Sequence, residues 1–167
     1  ESRTLILLGD TPLVSLATLQ KLIYTTETHQ IGLITLTTQQ PFGLGRILRD
    51  QEGKVVQIVE EKDASSEQKK IQEVNSGIFY ISVKLLKRWL PKIKKMNAQG
   101  EYYLTDIITM AVEEKIEIVT VSSDIDGEMQ GVNDRVQLAK LERYFQHQAA
   151  EKLMLAGVTL RDPGRFD

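Results

Sequence analysis

The chain opens with ESRTLILLGDTPLV, and Asp10 is the residue in that stretch whose chemistry needs explaining. A carboxylate at the carboxyl end of a strand stands where open α/β sheets bind their ligands. Its hard oxygens suit Mg²⁺, which takes few protein ligands and keeps water and phosphate oxygens around it. The other reading of Asp10 is a turn residue or helix N-cap. Five further stretches place a polar residue beside Gly or Asn at an element boundary: FGLGRI, VEEKDA, VNSGIF, GEYYLTDI and GVNDR. Asn133 can add a neutral oxygen ligand to that of Asp10, leaving net positive charge on the ion for phosphate partners; alternatively it caps the helix that follows. Gly43 and Gly45 let a backbone approach a ligand without Cβ obstruction, or simply make a turn. Glu60 and Glu61 can accept bonds from neighbouring sugar hydroxyls, or stand as a solvated pair. Asn75, an amide inside a strand, must be satisfied by backbone or by a ligand group. Tyr102 and Tyr103 read first as packing residues.

Several chemistries are excluded. The 167 residues contain no cysteine, so there is no disulfide framework, zinc–thiolate site or thiol nucleophile. The two histidines, His29 and His147, lie in polar contexts and match no metal spacing. No Ser-His-Asp set and no P-loop or dinucleotide-type glycine cradle is present. A net charge of -2 argues against a nucleic-acid partner. No apolar run reaches membrane-spanning length, so no membrane partner is expected. The chain starts without Met and enters a strand at once, which predicts a piece of a longer protein with an edge strand short of its partners.

The elements that must position these residues alternate between strand and helix periods, the α/β signature. Buried strands are expected at 5–8 and 31–38, and a hairpin formed by GRILRD and KVVQIVEE around Gln51-Glu52-Gly53. A polar loop with a helical turn should follow, then a strand at 74–82. An amphipathic helix ends at Pro91. Thr105 is expected to cap the helix TDIITMAVEE, which precedes a strand at 116–123. Ser15 is expected to start a helix running through Tyr24. The longest helix begins near Asn133 and closes at Gly157, with Val136, Leu141, Phe145, Ala149 and Leu153 as an apolar stripe packed on the sheet. Parallel strands with βα loops along one edge would gather the site.

Taken in order, GDTPL, GLGRI, IVEEKDA, EVNSGIFY, NAQGEYYLTDII, GVNDRVQL and AEKLMLAGVTLRDPGRFD resemble one bacterial family along the whole chain. It is the bifunctional N-acetylglucosamine-1-phosphate uridyltransferase/glucosamine-1-phosphate N-acetyltransferase family of cell-wall precursor synthesis. The resemblance implies an α/β fold: a partial Rossmann-like nucleotidyltransferase sheet flanked by helices and ending in a long linker helix. Residues 1–132 would be the latter portion of the uridyltransferase domain, and 133–167 the helix and tail leading to a left-handed β-helix domain. The implied reaction is Mg²⁺-dependent: UTP and N-acetylglucosamine 1-phosphate give UDP-N-acetylglucosamine and pyrophosphate, in a cytoplasmic homotrimer. Matched position by position, Asp10 and Asn133 correspond to the metal ligands. Gly45, Glu60 and Asn75 correspond to contacts with the N-acetylglucosaminyl group, with Tyr103 and Thr105 lining its pocket. Thr11 stands where the family often has Val, and the turn DQEGK is one residue longer than expected. The family's nucleotide loop and its catalytic basic residues have no counterpart in these residues, so the 167 residues alone are expected to be inactive. Two alternatives remain: a related nucleotidyltransferase using another sugar phosphate or base, and a non-catalytic structural segment.

Overall fold

The computed structural model describes residues 2–123 and 127–166. Two compact units are formed, one by the described residues of 1–8 and 16–124, the other by those of 9–15 and 125–167. No helix among the described residues is long and apolar enough to cross a membrane.

The first unit contains β1 (Arg3–Ile6), α1 (Leu16–Thr25), β2 (Ile31–Thr37), β3 (Arg46–Arg49), β4 (Val55–Val59), β5 (Glu73–Ser82), α2 (Val83–Trp89), α3 (Asp106–Glu113) and β6 (Ile118–Ser122). The sheet runs β4-β3-β5-β2-β6, and β1 also pairs with β5. The sheet is mixed: among the described residues β2 and β6 form the parallel pair, while β5 runs antiparallel to β1, β2 and β3, so the expected parallel strands are confined to β2 and β6 beside the expected antiparallel hairpin. The reason lies in the connections. The strands from β3 to β5 are joined by a hairpin and a polar loop, and a parallel pair needs a longer crossover. β2 is buried over five consecutive residues, as its near-continuous apolar sequence requires of a strand covered on both faces. At Gly32 the helix side comes so close that an added Cβ would lie 2.4 Å from Thr26 Oγ1 and 2.8 Å from Leu22 Cδ1.

The β3–β4 hairpin forms as expected. Asp50 accepts from the Glu52 and Lys54 N–H groups, and Gly53 takes φ +80° to close the turn. Ser82 caps α2 by accepting from Lys84 N–H, and Pro91 ends the helix in a single 3₁₀ turn. α3 closes through Lys115 at φ 58°, where the Ile116 and Lys115 N–H groups reach back to Ala111 and Val112 carbonyls. The core gathers Ile31, Leu33, Phe79, Ile81, Trp89 and Ile107, all essentially inaccessible. Each such side chain contributes about 1.5–3 kcal/mol by leaving water.

Two expectations are revised in this unit. The first strand spans Arg3–Ile6 rather than 5–8 and is only half-buried, while Leu7 and Leu8 stand 48% and 45% exposed. Among the described residues it pairs with β5 and with no second strand. Thr105 does not cap α3: its backbone is already helical and its side chain makes no cap bond. That hydroxyl donates to Glu60 Oε1 instead.

The second unit is built on α4 (Arg135–Leu155). Asp134, not Asn133, is its N-cap, accepting from Gln137 N–H; the residue nearer the first turn has the extended backbone a cap needs. Gly157 ends the helix as expected, at φ +95°, with Val158 N–H bonded to Leu153 O and Gly157 N–H to Met154 O. The predicted apolar stripe is not a buried one. Leu141 and Ala150 are buried, but Val136 and Phe145 are exposed. Bonds that hold segment 9–15 to residues 127–133 include Val132 N–H to Asp10 O at 2.8 Å and Ser15 N–H to Glu128 Oε1 at 2.7 Å.

Candidate functional site

Strand register builds the first cluster. Arg46 on β3 is opposite Val59 on β4 and Val74 on β5. Because both pairings are antiparallel, one step along each strand gives a second row: Glu60, Gly45 and Asn75. Asn75 N–H donates to Gly45 O at 2.8 Å, which locks that row. A Cβ on Gly45 would lie 3.2 and 3.3 Å from the two Glu60 carboxylate oxygens, so the missing side chain is what lets the carboxylate lie over the backbone. Three residues separated by sequence distances of 15 are thereby brought onto one patch.

Asn75 is aimed by a bulge. Leu33 pairs with Phe79 and Thr35 with Asn75, so Ser76, Gly77 and Ile78 stand opposite Ile34 alone. Ser76 Oγ donates to Ile34 O, and Gly77 adopts φ +81°. Asn75 Oδ1 accepts from Gly77 N–H at 2.9 Å, which leaves the amide NH₂ as the donor available to a ligand. Bulges of this kind re-aim side chains beside active sites.

The segment before α3 closes the cluster. Thr105 Oγ1 donates to Glu60 Oε1 at 2.9 Å. Gln99 Nε2 donates to the Tyr103 hydroxyl at 2.7 Å, Lys62 donates to Gln99 Oε1, and Ala98 N–H to Asp63 Oδ1. Residues 97–105 are thus tied to the turn after β4. Electrostatics follow from what is near. Burial pushes the Glu60 carboxyl above its ordinary value; the Thr105 bond opposes this, and Asp63 and Asp106 reinforce it. Asp106 is raised by burial and by Asp63. Desolvation raises the Tyr103 phenol, the Gln99 bond opposes this, and Asp63 and Glu60 add to the rise. The patch is therefore acidic and rich in acceptors, with an amide donor beside it. That suits hydroxyl and amide groups of a neutral sugar, and disfavours a phosphate placed directly against Glu60.

The second unit holds the other two expected residues. Asp10 and Asn133 are both exposed. Val132 N–H bonds Asp10 O, and a Cβ built on Gly131 would lie 3.3 Å from Asp10 Oδ2, so the carboxylate lies close over the Gly131 backbone. Asn133 gives its N–H to Gln137 Oε1, and with Asp134 serving as cap its side chain is not used to start the helix. The donor set, one carboxylate and one amide on adjoining segments, fits Mg²⁺ with its remaining positions left to water and phosphate. Among the described residues no group of three or more His, Cys, Asp or Glu is arranged to hold a metal.

Sequence reasoning passed over Arg46 and Glu128. Arg46 alternates with Leu48 along β3, and an Arg in register with an apolar residue is the available signal. Glu128 lies in the polar run DGEMQ, where nothing local marks a carboxylate that is 1% exposed.

No family model matches the chain. It is 54% identical over 164 residues to a protein named bifunctional protein GlmU from Acinetobacter baylyi, covering 98% of this chain and 36% of that protein. It is 49% identical over 167 residues to the protein of the same name from Francisella tularensis subsp. novicida, covering 100% of this chain and 37% of the relative. Among solved structures, CMP:2-keto-3-deoxy-manno-octonic acid synthetase complexed with CTP matches with TM-score 0.62 at 14% identity, over 87% of this chain and 62% of that one. A chain described as a glucose-1-phosphate thymidylyltransferase from Bacillus anthracis, in complex with sucrose, matches with TM-score 0.58 at 18% identity, over 83% and 52%. The structural likenesses show a shared Rossmann-like α/β fold with helices flanking a mixed sheet. Along its whole length this chain is a homologue of the bifunctional GlmU proteins and corresponds to about a third of one.

Proposed function

We propose that this chain takes part in uridylyl transfer from UTP to N-acetylglucosamine 1-phosphate, yielding UDP-N-acetylglucosamine and pyrophosphate. The observation that carries this reading is the convergence of Gly45, Glu60, Asn75 and Thr105 from four segments around one carboxylate. Ionised Glu60 accepts bonds from two sugar hydroxyls, Asn75 donates its amide to an exocyclic oxygen, and Gly45 lets the sugar approach the backbone. Tyr103 lines the same patch. Asp10 and Asn133 would hold Mg²⁺, which when bound neutralises phosphate charge and orients the phosphates for in-line displacement. In such a transfer the attacking group is already a phosphate oxygen, so the chain needs no nucleophile of its own.

The homology also supports placing the 133–167 segment ahead of a left-handed β-helix domain, in a trimeric cytoplasmic enzyme supplying peptidoglycan and lipopolysaccharide precursors. The test uses the protein that carries this chain. UDP-N-acetylglucosamine and pyrophosphate are followed with UTP, CTP, GTP and dTTP in turn, against N-acetylglucosamine 1-phosphate and glucose 1-phosphate, with Mg²⁺ varied. UTP and the N-acetylated sugar phosphate are expected to be preferred. Asp10→Asn is expected to lower turnover by about 10²-fold, the scale on which losing one stabiliser of transition-state charge costs. Retention of turnover within a few-fold by Asp10→Asn rejects the metal assignment, and preference for another nucleotide moves the chain to a different transferase.

A further inference from the structure

We infer that Arg46 is a positioning residue for the sugar-recognising row Glu60–Gly45–Asn75, acting from the opposite face of the sheet; this rests on the sugar reading of Glu60 given above. Three observations converge on it. First, Arg46 is the residue of β3 whose register joins β4 to β5, through Val59 and Val74. Each residue of the sugar row is the immediate chain neighbour of one member of the Arg46 row. Side chains of successive rows leave a sheet on opposite faces, so the Arg46 guanidinium does not itself face the sugar.

Second, the guanidinium grips both ends of the patch. Its Nη1 donates to Leu44 O, fixing the loop that presents Gly45, and its Nη2 donates to Glu61 Oε2, fixing the residue that follows Glu60. By engaging Glu61 the cation is kept away from Glu60. Glu60, bonded by the Thr105 hydroxyl and not by this guanidinium, keeps acceptor capacity for sugar hydroxyls.

Third, the arrangement is not the one stability alone would select. Arg46 is 1% exposed, and its Nε is buried with no hydrogen-bond partner. A buried ion pair repays its desolvation only with full satisfaction, and an apolar side chain of similar size commonly does as well or better. A planar fork with two fixed bonds holds two backbone segments at a set separation, which an apolar side chain cannot do.

The experiment measures KM for N-acetylglucosamine 1-phosphate and for UTP in the protein that carries this chain, together with thermal melts. The variants are Arg46→Met, Arg46→Lys, Glu61→Ala and, as the reference, Glu60→Ala. Arg46→Met is expected to raise the sugar-phosphate KM by about ten-fold, as losing an outer partner of a binding group does, with the UTP KM within about two-fold. Arg46→Lys keeps the charge but not the fork, and is expected to recover part of the loss. Glu61→Ala removes the partner whose side chain is 26% exposed, so that water can take its place beside the guanidinium; it is expected to raise the sugar-phosphate KM alone by a few-fold, and decides the matter should Arg46→Met fail to fold. If Glu60→Ala leaves the sugar-phosphate KM unchanged, the sugar reading itself fails. If Glu60→Ala raises it while Glu61→Ala and any folded Arg46 variant do not, or if both KM values rise together in those variants, the positioning role is rejected and the sugar reading stands.

Discussion

Glu60 is a carboxylate held in a setting that resists its charge, with burial as the main cause and Asp63 and Asp106 adding to it. A site that needs the ionised form therefore weakens as pH falls, and at a higher pH than an ordinary carboxylate would dictate. The sugar-phosphate KM is expected to rise as pH is lowered from about 8 to about 5. The sugar phosphate titrates in the same range, so the comparison is with Glu60→Gln, whose profile keeps that titration and is expected to lose the remainder. An identical profile in the two proteins rejects the role of Glu60 ionisation. The stability sign is the reverse of the usual acid case. Because the folded state holds the Glu60 proton more firmly than the unfolded chain, its contribution favours folding at low pH and is lost as pH rises through the raised value. Glu73 behaves oppositely: bonded to Arg49, its pKa is lowered, and its contribution is present above the ordinary carboxylate range and lost as pH falls through the lowered value.

At the scale of elements, the bulge in β5 places Asn75, and Gly77 makes the bulge possible. An alanine there would carry φ +81° and put its Cβ 2.4 Å from Leu8 Cδ1. The side chain of Leu8 can give way, but the backbone cannot, so Gly77→Ala is expected to cost about 1–3 kcal/mol in denaturant unfolding. Since Asn75 Oδ1 is oriented by the Gly77 N–H, sugar affinity is expected to fall with it. Wild-type stability in that variant would mean that the bulge can relax at no cost. α4 shows a different balance. Its termini are well made, with Asp134 as cap and Gly157 as stop, while its middle buries only Leu141 and Ala150. Its ends define it more than its packing does.

For the whole molecule, the two units differ in how much each buries. The first has a continuous core from Ile31 through Trp89 to Ile108, and the second has few buried side chains. Opening free energy tracks such burial, so amide hydrogen exchange should separate them. The slowest amides are expected in β2 and β5, around Leu33 and Phe79, exchanging only with global unfolding. Amides of α4 are expected to exchange faster, and equal protection in both would mean that the units unfold as one.

The sequence by itself determined the element types, because the period of apolar residues and the caps at element ends are local properties: the β3–β4 hairpin, the stop at Pro91 and the Gly157 terminus are all written within a few residues of where they act. It also carried the ordered motifs by which Asp10, Gly45, Glu60, Asn75, Tyr103, Thr105 and Asn133 were singled out. Tertiary structure alone decided that the sheet is mixed, since pairing partners are chosen by topology and not by any strand's own pattern. The same holds for Thr105, which gives its hydroxyl to Glu60, 45 residues away, rather than to a helix end. Arg46 and Glu128 are the sharpest cases. Whether a charged side chain is solvated or buried depends on what lies across from it, and its partners here come from the turn after β4, from a loop backbone, or from a segment 113 residues away.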